Sequence, residues 1–337
     1  GLDYPPSRYL IGVGQAGDRN QAADQAYAAL ARIFQAEVDA QAHDWESYLT
    51  VEHHGSTNTE RRLTLEAVTR VSTEKVLENV RIAETWEDVG RGLHYALAVM
   101  NRSQAAASLM DRISSLDQAV EADVFESRMT ADKLTKIRNL RRAARSLVLR
   151  EAYNADLRVI RPSGQGVASD YGVQELSDEL ERFLRANVPV MVRMAGDHAE
   201  LLQQAVTEGL IREGITVTAD MGNHDGRGPE LLVRGTVRLF PIQVRDPHFK
   251  YVRWCSDFEM TDAATHRVLG AVSHGGKEGH LTEREAMAKT LRVIQGELSS
   301  KVATMIAAHI FGEASLPTAV GMPAGCPRGE LSEEPVR

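Results

Sequence analysis

Three glycines near the start of the chain restrict how its first two elements can be joined. They are Gly12, which lies within the apolar pentad Tyr9–Val13, and Gly14 and Gly17, which follow it. An alanine-rich stretch of helical spacing comes next, with Asp18 as its N-cap, so a strand followed by a helix is predicted. The glycines also fit G-x-G-x-x-G, in which the backbone approaches a dinucleotide pyrophosphate at a helix N-terminus.

The sequence that follows disfavours a dinucleotide site. A Rossmann unit needs a buried parallel second strand that ends in an acidic residue. Asp39 lies at a suitable distance, but polar and apolar side chains are mixed around it and no further βαβ units follow. The favoured interpretation is that the glycines accommodate tight geometry at a strand-to-helix turn, with nucleotide binding as the alternative.

Composition narrows the class of protein. A chain of 337 residues, 43% of them hydrophobic, can bury a sizeable core and form two domains. The net charge of -8 and an aromatic content of 5% disfavour a nucleic-acid partner. Cys255 and Cys326 are too few for a disulfide framework or a structural zinc site, and the sequence leaves open whether they pair. Cys255 is expected to pack in a strand as a small hydrophobe.

Apolar periodicity predicts an α+β protein with two domains, each a mixed or antiparallel sheet packed with helices. The first domain comprises residues 1–160 and ends in a long helical hairpin over 103–156. Before the hairpin we expect a strand over Val38–Val51, a helix over Thr64–Leu77, and two strands within 78–102 around a turn at Gly90 and Gly92.

Residues 161–170 contain Pro, Gly and Ser and are predicted to be a linker. The second domain, residues 171–313, alternates helices and strands, and 314–337 is expected to be a mobile tail. The elements predicted for the second domain are, in chain order, a helix over Val173–Ala186, the strand VPVMVRM, a helix over His198–Arg212, the strands ITVTAD, ELLVRGTVRLFPIQV, FKYVRWCSDFEMTD and HRVLGAVSHG, and a helix over Thr282–Phe311.

The first domain resembles a family of bacterial lipoproteins. The segment YPPSRYLIGVGQAGDRNQAADQAYAALARIF resembles the opening of the twenty-kilodalton lipoprotein family, which is related to the N-terminal part of flagellar assembly protein T. VRIAETWEDVGRGLHYALAVMNRSQAA resembles the second signature of that family, and the two cover roughly Tyr4–Ala107. The family motifs describe a fold rather than a reaction.

The second domain resembles another envelope fold. Its strands and last helix, roughly Val188–Phe311, resemble the domain shared by the penicillin-binding-protein activator LpoB and the N-terminal region of TolB. In that domain a strand ends in a turn of the form D-x-x-T-g-x-v, which Asp262, Thr265 and Val268 fit.

An enzymatic alternative rests on two loops. AGDHAE and GNHDG each follow a strand, which resembles calcineurin-like metallophosphoesterases and would make Asp197, Asn223 and His224 metal-site residues, with His274 and His280 as later ligands. The upstream D-x-H, the second acid of G-D-x-x-D and the late G-H-x-H of that family are missing, so the metal would lack much of its coordination shell.

Two polar sequences are interpreted as solvated surface. His53 and His54 lie in a polar loop without further ligands at metal-site spacing. Four arginines of the hairpin could bind an anionic partner, but a solvated face beside the acidic first helix is favoured: Arg138, Arg141, Arg142 and Arg145.

The resemblances imply a cell-envelope protein without enzymatic activity, on the periplasmic side of the outer membrane. It would act as an assembly or regulatory factor through contacts with an envelope protein partner. We expect no catalytic, cofactor-binding or metal-binding residues, no nucleic-acid partner, and membrane attachment only through an N-terminal lipid anchor outside this sequence.

Overall fold

The computed structural model describes residues 3–41, 77–212, 215–219, 228–242, 248–312 and 326. These residues form an α+β fold with two open sheets, which confirms the predicted fold class. In chain order the elements are β1 (Tyr9–Ala16), α1 (Arg19–Gln41), β2 (Val80–Asp88), β3 (Leu93–Asn101), α2 (Arg102–Met129), α3 (Lys133–Ile160), α4 (Val173–Asn187), β4 (Val190–Gly196), α5 (Ala199–Arg212), β5 (Leu231–Ile242), β6 (Lys250–Asp262), β7 (Val268–His280) and α6 (Glu283–Phe311).

The first sheet is antiparallel, with its strands in the order β1-β3-β2. β1 pairs with β3 from Tyr9 opposite Asn101 to Ala16 opposite His94. β2 and β3 form the predicted hairpin, and Gly92 in its turn has a φ of 62°, a conformation that glycine adopts without strain. Because β1 has an antiparallel neighbour, β1 and α1 do not open a parallel βαβ unit.

Gly12 and Gly14 let α1 lie directly against β1. A Cβ atom on Gly12 would overlap the carbonyl oxygen of Ala26, and one on Gly14 would overlap that of Ala22. Only glycine permits this approach of helix to strand. The tight geometry is therefore confirmed, but it lies within the strand rather than in the turn, where Gly17 has open space.

The predicted helical hairpin is formed by α2 and α3. Asn101 caps α2 by accepting hydrogen bonds from the N–H groups of Ser103 and Gln104, and Asp132 caps α3 by accepting one from Thr135. The facing sides of the helices bury small and branched residues: Val120, Val124, Ala143, Ala144, Leu147 and Val148. A second cluster joins the hairpin to α1 and β3: Phe34, Met100, Ala105, Leu109, Ile113, Tyr153, Leu157 and Ile160.

Arg150 of α3 carries a positive charge into the interior of the hairpin and is fully buried. Its Nε donates to Asp117 of α2 at 3.0 Å, its Nη1 to Glu151 at 2.6 Å, and its Nη2 to the carbonyl oxygen of Ala168 at 2.7 Å. The guanidinium thus joins both helices to the chain that follows them.

Residues 161–170 lie along α3 and are hydrogen-bonded to it. The N–H of Val167 donates to Oδ1 of Asn154 at 2.7 Å, and Arg161 donates to the carbonyl oxygen of Gly166 at 3.3 Å. These bonds hold residues 161–170, the segment predicted to be a linker from its composition, against α3.

Contacts between Cα atoms divide the chain into two compact units, Gly1–Glu181 and Arg182–Arg337. The division lies within α4 and differs from the boundary predicted at 161–170. Val173 and Leu176, at the start of α4, pack in the hairpin core, so this end of the helix belongs to the first unit.

The second unit contains a mixed sheet in the order β4-β5-β6-β7. β4 runs parallel to β5, and the remaining pairs are antiparallel. α5 and α6 pack on one face, which buries a row of apolar side chains: Val190, Val192, Val233, Val237, Val252, Trp254 and Met260. Thr282 caps α6 at its start, and Gly312 ends it with a φ of 69°.

Aromatic side chains cover three glycines of the second sheet. Phe258 lies against Gly235 and Trp254 lies against Gly276, both on the helix-covered face. Tyr251 covers a third, Gly279, on the opposite face. The rings shield backbone that glycine would otherwise leave open.

Two predicted strands differ in the structure. α1 continues to Gln41, so residues 38–41 are helical where a strand was predicted over Val38–Val51; the alanine-rich sequence favours helix there. ITVTAD contributes only a bridge between Val217 and Val190 among the described residues. The helix predicted over Thr64–Leu77, apart from Leu77 itself, and the tail other than residue 326 lie outside the described residues.

Gly14→Ala should destabilise the first unit by about 1–3 kcal/mol, because its methyl group forces α1 away from β1. Gly17→Ala is the matched control, since a methyl group there meets open space. Urea unfolding followed by circular dichroism measures both changes. Equal stability of the two variants would contradict the packing role of Gly14.

Arg150→Met should lower the free energy of unfolding by about 3–5 kcal/mol, since Asp117 and Glu151 would lose their buried partner. Arg145→Met is the control, because Arg145 is exposed on the same helix. The same unfolding measurement applies. A loss at Arg150 no larger than at Arg145 would show that the buried ion pairs add nothing to stability.

Candidate functional site

A groove of about 430 Å³ lies beside β4 in the second unit. It is lined by β4, by α5 and by the short segment 217–219: Met191, Val192, Arg193, Met194, Ala199, Glu200, Gln203, Gln204, Thr207, Val217, Thr218 and Ala219. This lining contains no Ser, Cys or His.

The backbone edge of β4 forms one wall of the groove. The N–H of Val190 donates to Thr216 and its carbonyl oxygen accepts from Thr218, both at 2.8 Å. Farther along, the N–H of Met194 donates to Oε1 of Gln203 at 3.1 Å. The edge of β4 therefore presents the backbone hydrogen-bonding groups that an extended chain would use. Some of these groups already bond to Thr216, Thr218 and Gln203 of this protein.

Asp197 fastens the end of β4 to β5. Its N–H donates to the carbonyl oxygen of Val237 at 2.9 Å, and its carboxylate accepts from the N–H of Leu239 at 2.7 Å. Gly196 and His198 on either side have positive φ angles of 90° and 55°. The carboxylate that the phosphoesterase alternative assigns to a metal is thus bonded to backbone here.

His274 and His280 lie on β7 and pair with glutamates of α6. Nε2 of His274 is 2.5 Å from Glu297, and Nδ1 of His280 is 2.9 Å from Glu285. The Thr282 hydroxyl, and after it His280, lower the pKa of Glu285. The structure places both histidines in the contact between strand and helix, which is a different role from the metal ligation considered above.

The described residues contain no group of three or more His, Cys, Asp and Glu side chains able to hold a metal ion. Asn223 and His224, the other residues of the phosphoesterase alternative, lie outside the described residues, as do His53 and His54. Asp39 lies in α1 rather than at the end of a parallel strand.

Arg142 of the hairpin pairs with the acidic helix beside it. Its Nε donates to Asp123 of α2 at 2.9 Å and its Nη2 donates to Asn139 at 2.8 Å. The hydrogen bonds that Arg142 donates to Asp123 raise the pKa of Arg142. Arg145 is exposed as predicted, whereas Arg141 is buried, so the four arginines do not share one solvated face.

Cys255 and Cys326 form a disulfide. The sequence left this pairing open, and Cys255 is buried in a strand as expected. The two residues are separated by 71 positions, so no local sequence pattern indicates the pairing. Disulfides of this kind form and persist in oxidising compartments.

The turn between β6 and β7 is organised by Asp262. Its Oδ1 accepts hydrogen bonds from the N–H of Thr265 at 2.7 Å, the hydroxyl of Thr265 at 2.9 Å and the N–H of Ala264 at 3.0 Å. These bonds, chiefly the one from the backbone of Thr265, hold the pKa of Asp262 below its usual value. The polar residues of the predicted D-x-x-T turn therefore meet.

The first sheet has an exposed apolar face, which the sequence analysis did not predict. We call its residues the apolar face: Ile11, Val13, Trp86, Tyr95 and Leu97. α1 packs against the opposite side of this sheet, and Ile11, Val13 and Trp86 are 44%, 53% and 46% exposed. The rings of Trp86 and Tyr95 stack with centroids 5.2 Å apart. The available signal was the run Tyr95–Met100, in which residues on both faces of the strand are apolar or aromatic.

The first part of the chain is similar to bacterial lipoproteins. Residues 3–101 match the model of the LPP20 lipoprotein family, which confirms the resemblance predicted for this region. No curated protein sequence matches the chain. The resemblances to flagellar assembly protein T and to LpoB and TolB remain predictions.

Three solved structures of low sequence identity are similar to this chain. A minor lipoprotein of Acinetobacter baumannii is 9% identical, with 36% of this chain and 90% of the other covered and a TM-score of 0.28. A lipoprotein of Neisseria meningitidis is 14% identical, covering 36% and 98%, with a TM-score of 0.25. A secreted protein of Helicobacter pylori is 13% identical, covering 88% and 97%, with a TM-score of 0.36. Similarity at this level carries no functional inference.

No helix in the described residues has the length and apolarity needed to cross a membrane.

Reduction of the Cys255–Cys326 disulfide should destabilise the second unit by about 4 kcal/mol, from the chain entropy released by opening its loop. Thermal unfolding with and without a phosphine reductant measures the loss, and the Cys255→Ala, Cys326→Ala double variant should reproduce it. The double variant should not respond to the reductant. Unchanged stability on reduction of the wild-type chain would contradict this role.

Proposed function

We propose that this protein is a cell-envelope lipoprotein that acts through contacts with another protein and catalyses no reaction. In its native form it would be lipid-anchored on the periplasmic side of the outer membrane, as an assembly or regulatory factor. The LPP20 match over residues 3–101 supports the lipoprotein assignment. The disulfide supports an oxidising compartment such as the periplasm.

The observation that carries the proposed mode of action is the apolar face. It lies within the region that matches the lipoprotein family, and its residues come from all three strands. Val13 lies opposite Leu97, which in turn lies opposite Glu84, while Trp86 lies opposite Tyr95. Contiguous exposed apolar surface on a protein of this charge marks a docking surface.

The dimensions of this face favour a short partner segment. β1 contains 8 residues, so the face is about 26 Å long at about 3.3 Å per residue. Three strands about 4.8 Å apart make it only about 10 Å wide. A stable dimer buries about 800 Å² on each partner, which is more than this face offers. An amphipathic helix or strand of an envelope protein would match it.

The phosphoesterase alternative gains no support from the described geometry. The Asp197 carboxylate bonds to the N–H of Leu239, and His274 and His280 pair with α6. The proposal accordingly includes no metal and no cofactor.

Photo-crosslinking in cells tests the proposal. The full-length gene is expressed in its native host with a photoreactive amino acid at Val13, and with the same group at the exposed Glu121 of α2 as control. We expect a covalent adduct with one discrete envelope protein from position 13 only. Adding Ile11→Asp should reduce the adduct about tenfold, because burying an aliphatic side chain contributes about 1.5–3 kcal/mol.

Two results would contradict the proposal. An adduct that maps within the same chain would show that the apolar face is covered internally. Recovery of the full-length protein from the cytoplasmic fraction, without incorporated palmitate, would reject the envelope location.

A further inference from the structure

The outer edge of β4 is paired at one residue only. Backbone groups alternate in direction along a strand, so those of Val190, Val192 and Met194 face this edge, away from β5. Val190 forms a single parallel bridge with Val217, and the segment that contains Val217 makes no further bridge within the described residues. Val217 and Ala219 line the groove beside β4. The groove therefore opens where this segment stops pairing with the strand.

Two backbone N–H groups beyond the bridge face the groove. The N–H of Val192 has no hydrogen-bond acceptor among the described residues, although Val192 is only 4% exposed. A buried N–H without a partner is rare in folded proteins, so this position indicates a bond that a ligand completes. The N–H of Met194 donates to Oε1 of Gln203, an exposed residue of α5. Holding a long side chain in place costs rotamer entropy, so a backbone carbonyl fixed in a strand can replace Gln203 as the acceptor.

The shape and lining of the groove suit an extended peptide. Its volume of about 430 Å³ lies in the range of ligand-binding clefts. Met191 and Met194 supply flexible apolar contacts, which adapt to ligand side chains of different shape. The backbone groups that face the edge recur at every second residue, about 6.6 Å apart. Another extended chain reproduces that spacing.

Two exposed charges of opposite sign also line the groove. Arg193 lies on β4, and Glu200 lies in the first turn of α5. Neither makes an ion pair within the part of the chain that the structure describes, and both are exposed. A segment that carries one acidic and one basic side chain complements both of them. Charges at the rim of a binding site select partners more than they add affinity.

We propose that the edge of β4 binds an extended segment of another protein, which joins the second sheet as a further strand. Carbonyl oxygens of the segment accept from the N–H groups of Val192 and Met194, and Gln203 is displaced. Main-chain hydrogen bonds of this kind give affinity, and the side chains of the segment give selectivity. This site goes beyond the proposed protein contact, which uses the first sheet.

Hydrogen exchange of the purified 337-residue chain gives a test that needs no ligand. The N–H of Val190 is bonded to Thr216, whereas that of Val192 has no described acceptor. We expect the Val192 amide to exchange about tenfold faster than the Val190 amide, because only the latter must first break a hydrogen bond. Equal protection of the two amides would show that residues of this chain already occupy the edge, and it would overturn the proposal.

A phage-displayed library of random heptapeptides, selected on the immobilised chain, supplies the probe. We expect enriched sequences in which apolar residues alternate with others and which include an acidic and a basic residue. The most enriched heptapeptide is synthesised with a fluorophore, and its binding is measured by anisotropy. Methylating the backbone nitrogen of every second residue should abolish binding in one phase and preserve it in the other, because only alternate amides of a strand face its neighbour.

Variants of the groove separate strand addition from other modes of binding. Gln203→Ala should tighten binding about fivefold, because the N–H of Met194 becomes available to the peptide. Gln204→Ala is the matched control and should leave the affinity unchanged, since the Gln204 amide donates to Glu208 and not to β4. Arg193→Gln should weaken binding about two- to fivefold. Circular dichroism of each variant controls for folding.

Four further results would overturn the proposal. The first is a library from which no heptapeptide is enriched. The second is weaker binding to the Gln203→Ala variant, with no added protection of the Val192 amide when the peptide is present. The third is an equal effect of the two methylation phases, which would assign the peptide to side-chain contacts. The fourth is protection of Val192 that grows with the concentration of the free chain, which would make a second copy the occupant.

Discussion

The arrangement of the first unit depends on one buried charge. Burying a guanidinium costs several kcal/mol unless its donors are satisfied, and Arg150 satisfies them with two carboxylates and a carbonyl oxygen. These acceptors come from α2, from α3 and from the chain after α3. The energetic requirement to pair Arg150 therefore fixes the hairpin and the segment that follows it as one body, and it places the start of α4 against the hairpin core.

Among the described residues, helices pack on one face of each sheet. In the first, the close approach of α1 at Gly12 and Gly14 commits one face to packing and leaves apolar side chains on the other. In the second, α5 and α6 cover one face, and Met191, Leu232 and Cys255 are buried on the other. The first sheet therefore keeps exposed apolar side chains that a partner segment could contact.

Periodicity predicted most elements because each buries a single stripe or face, as the hairpin and the alternating strand β6 do. It failed where local pattern does not determine the outcome. Residues 38–41 follow helix propensity although their apolar pattern suggested a strand. Composition does not show that Val167 donates a hydrogen bond to Asn154 or that Ala168 accepts one from Arg150, within the segment that stays predicted as a linker. The disulfide depends on which residues become neighbours across the fold. His274 and His280, which the sequence analysis considered as metal ligands, lie beside glutamates of α6. The sequence does not show that α6 packs there.

The disulfide changes how the second unit bears mechanical load. Cys255 lies in β6, an interior strand of the sheet, and β7 and α6 lie between it and Cys326 in the chain. These elements are therefore enclosed in a covalent ring. A force applied to residues after Cys326 passes through the sulfur atoms into β6, where ladders on both sides resist it together. Without the bond, the same force would reach α6 first and peel it from the sheet one turn at a time.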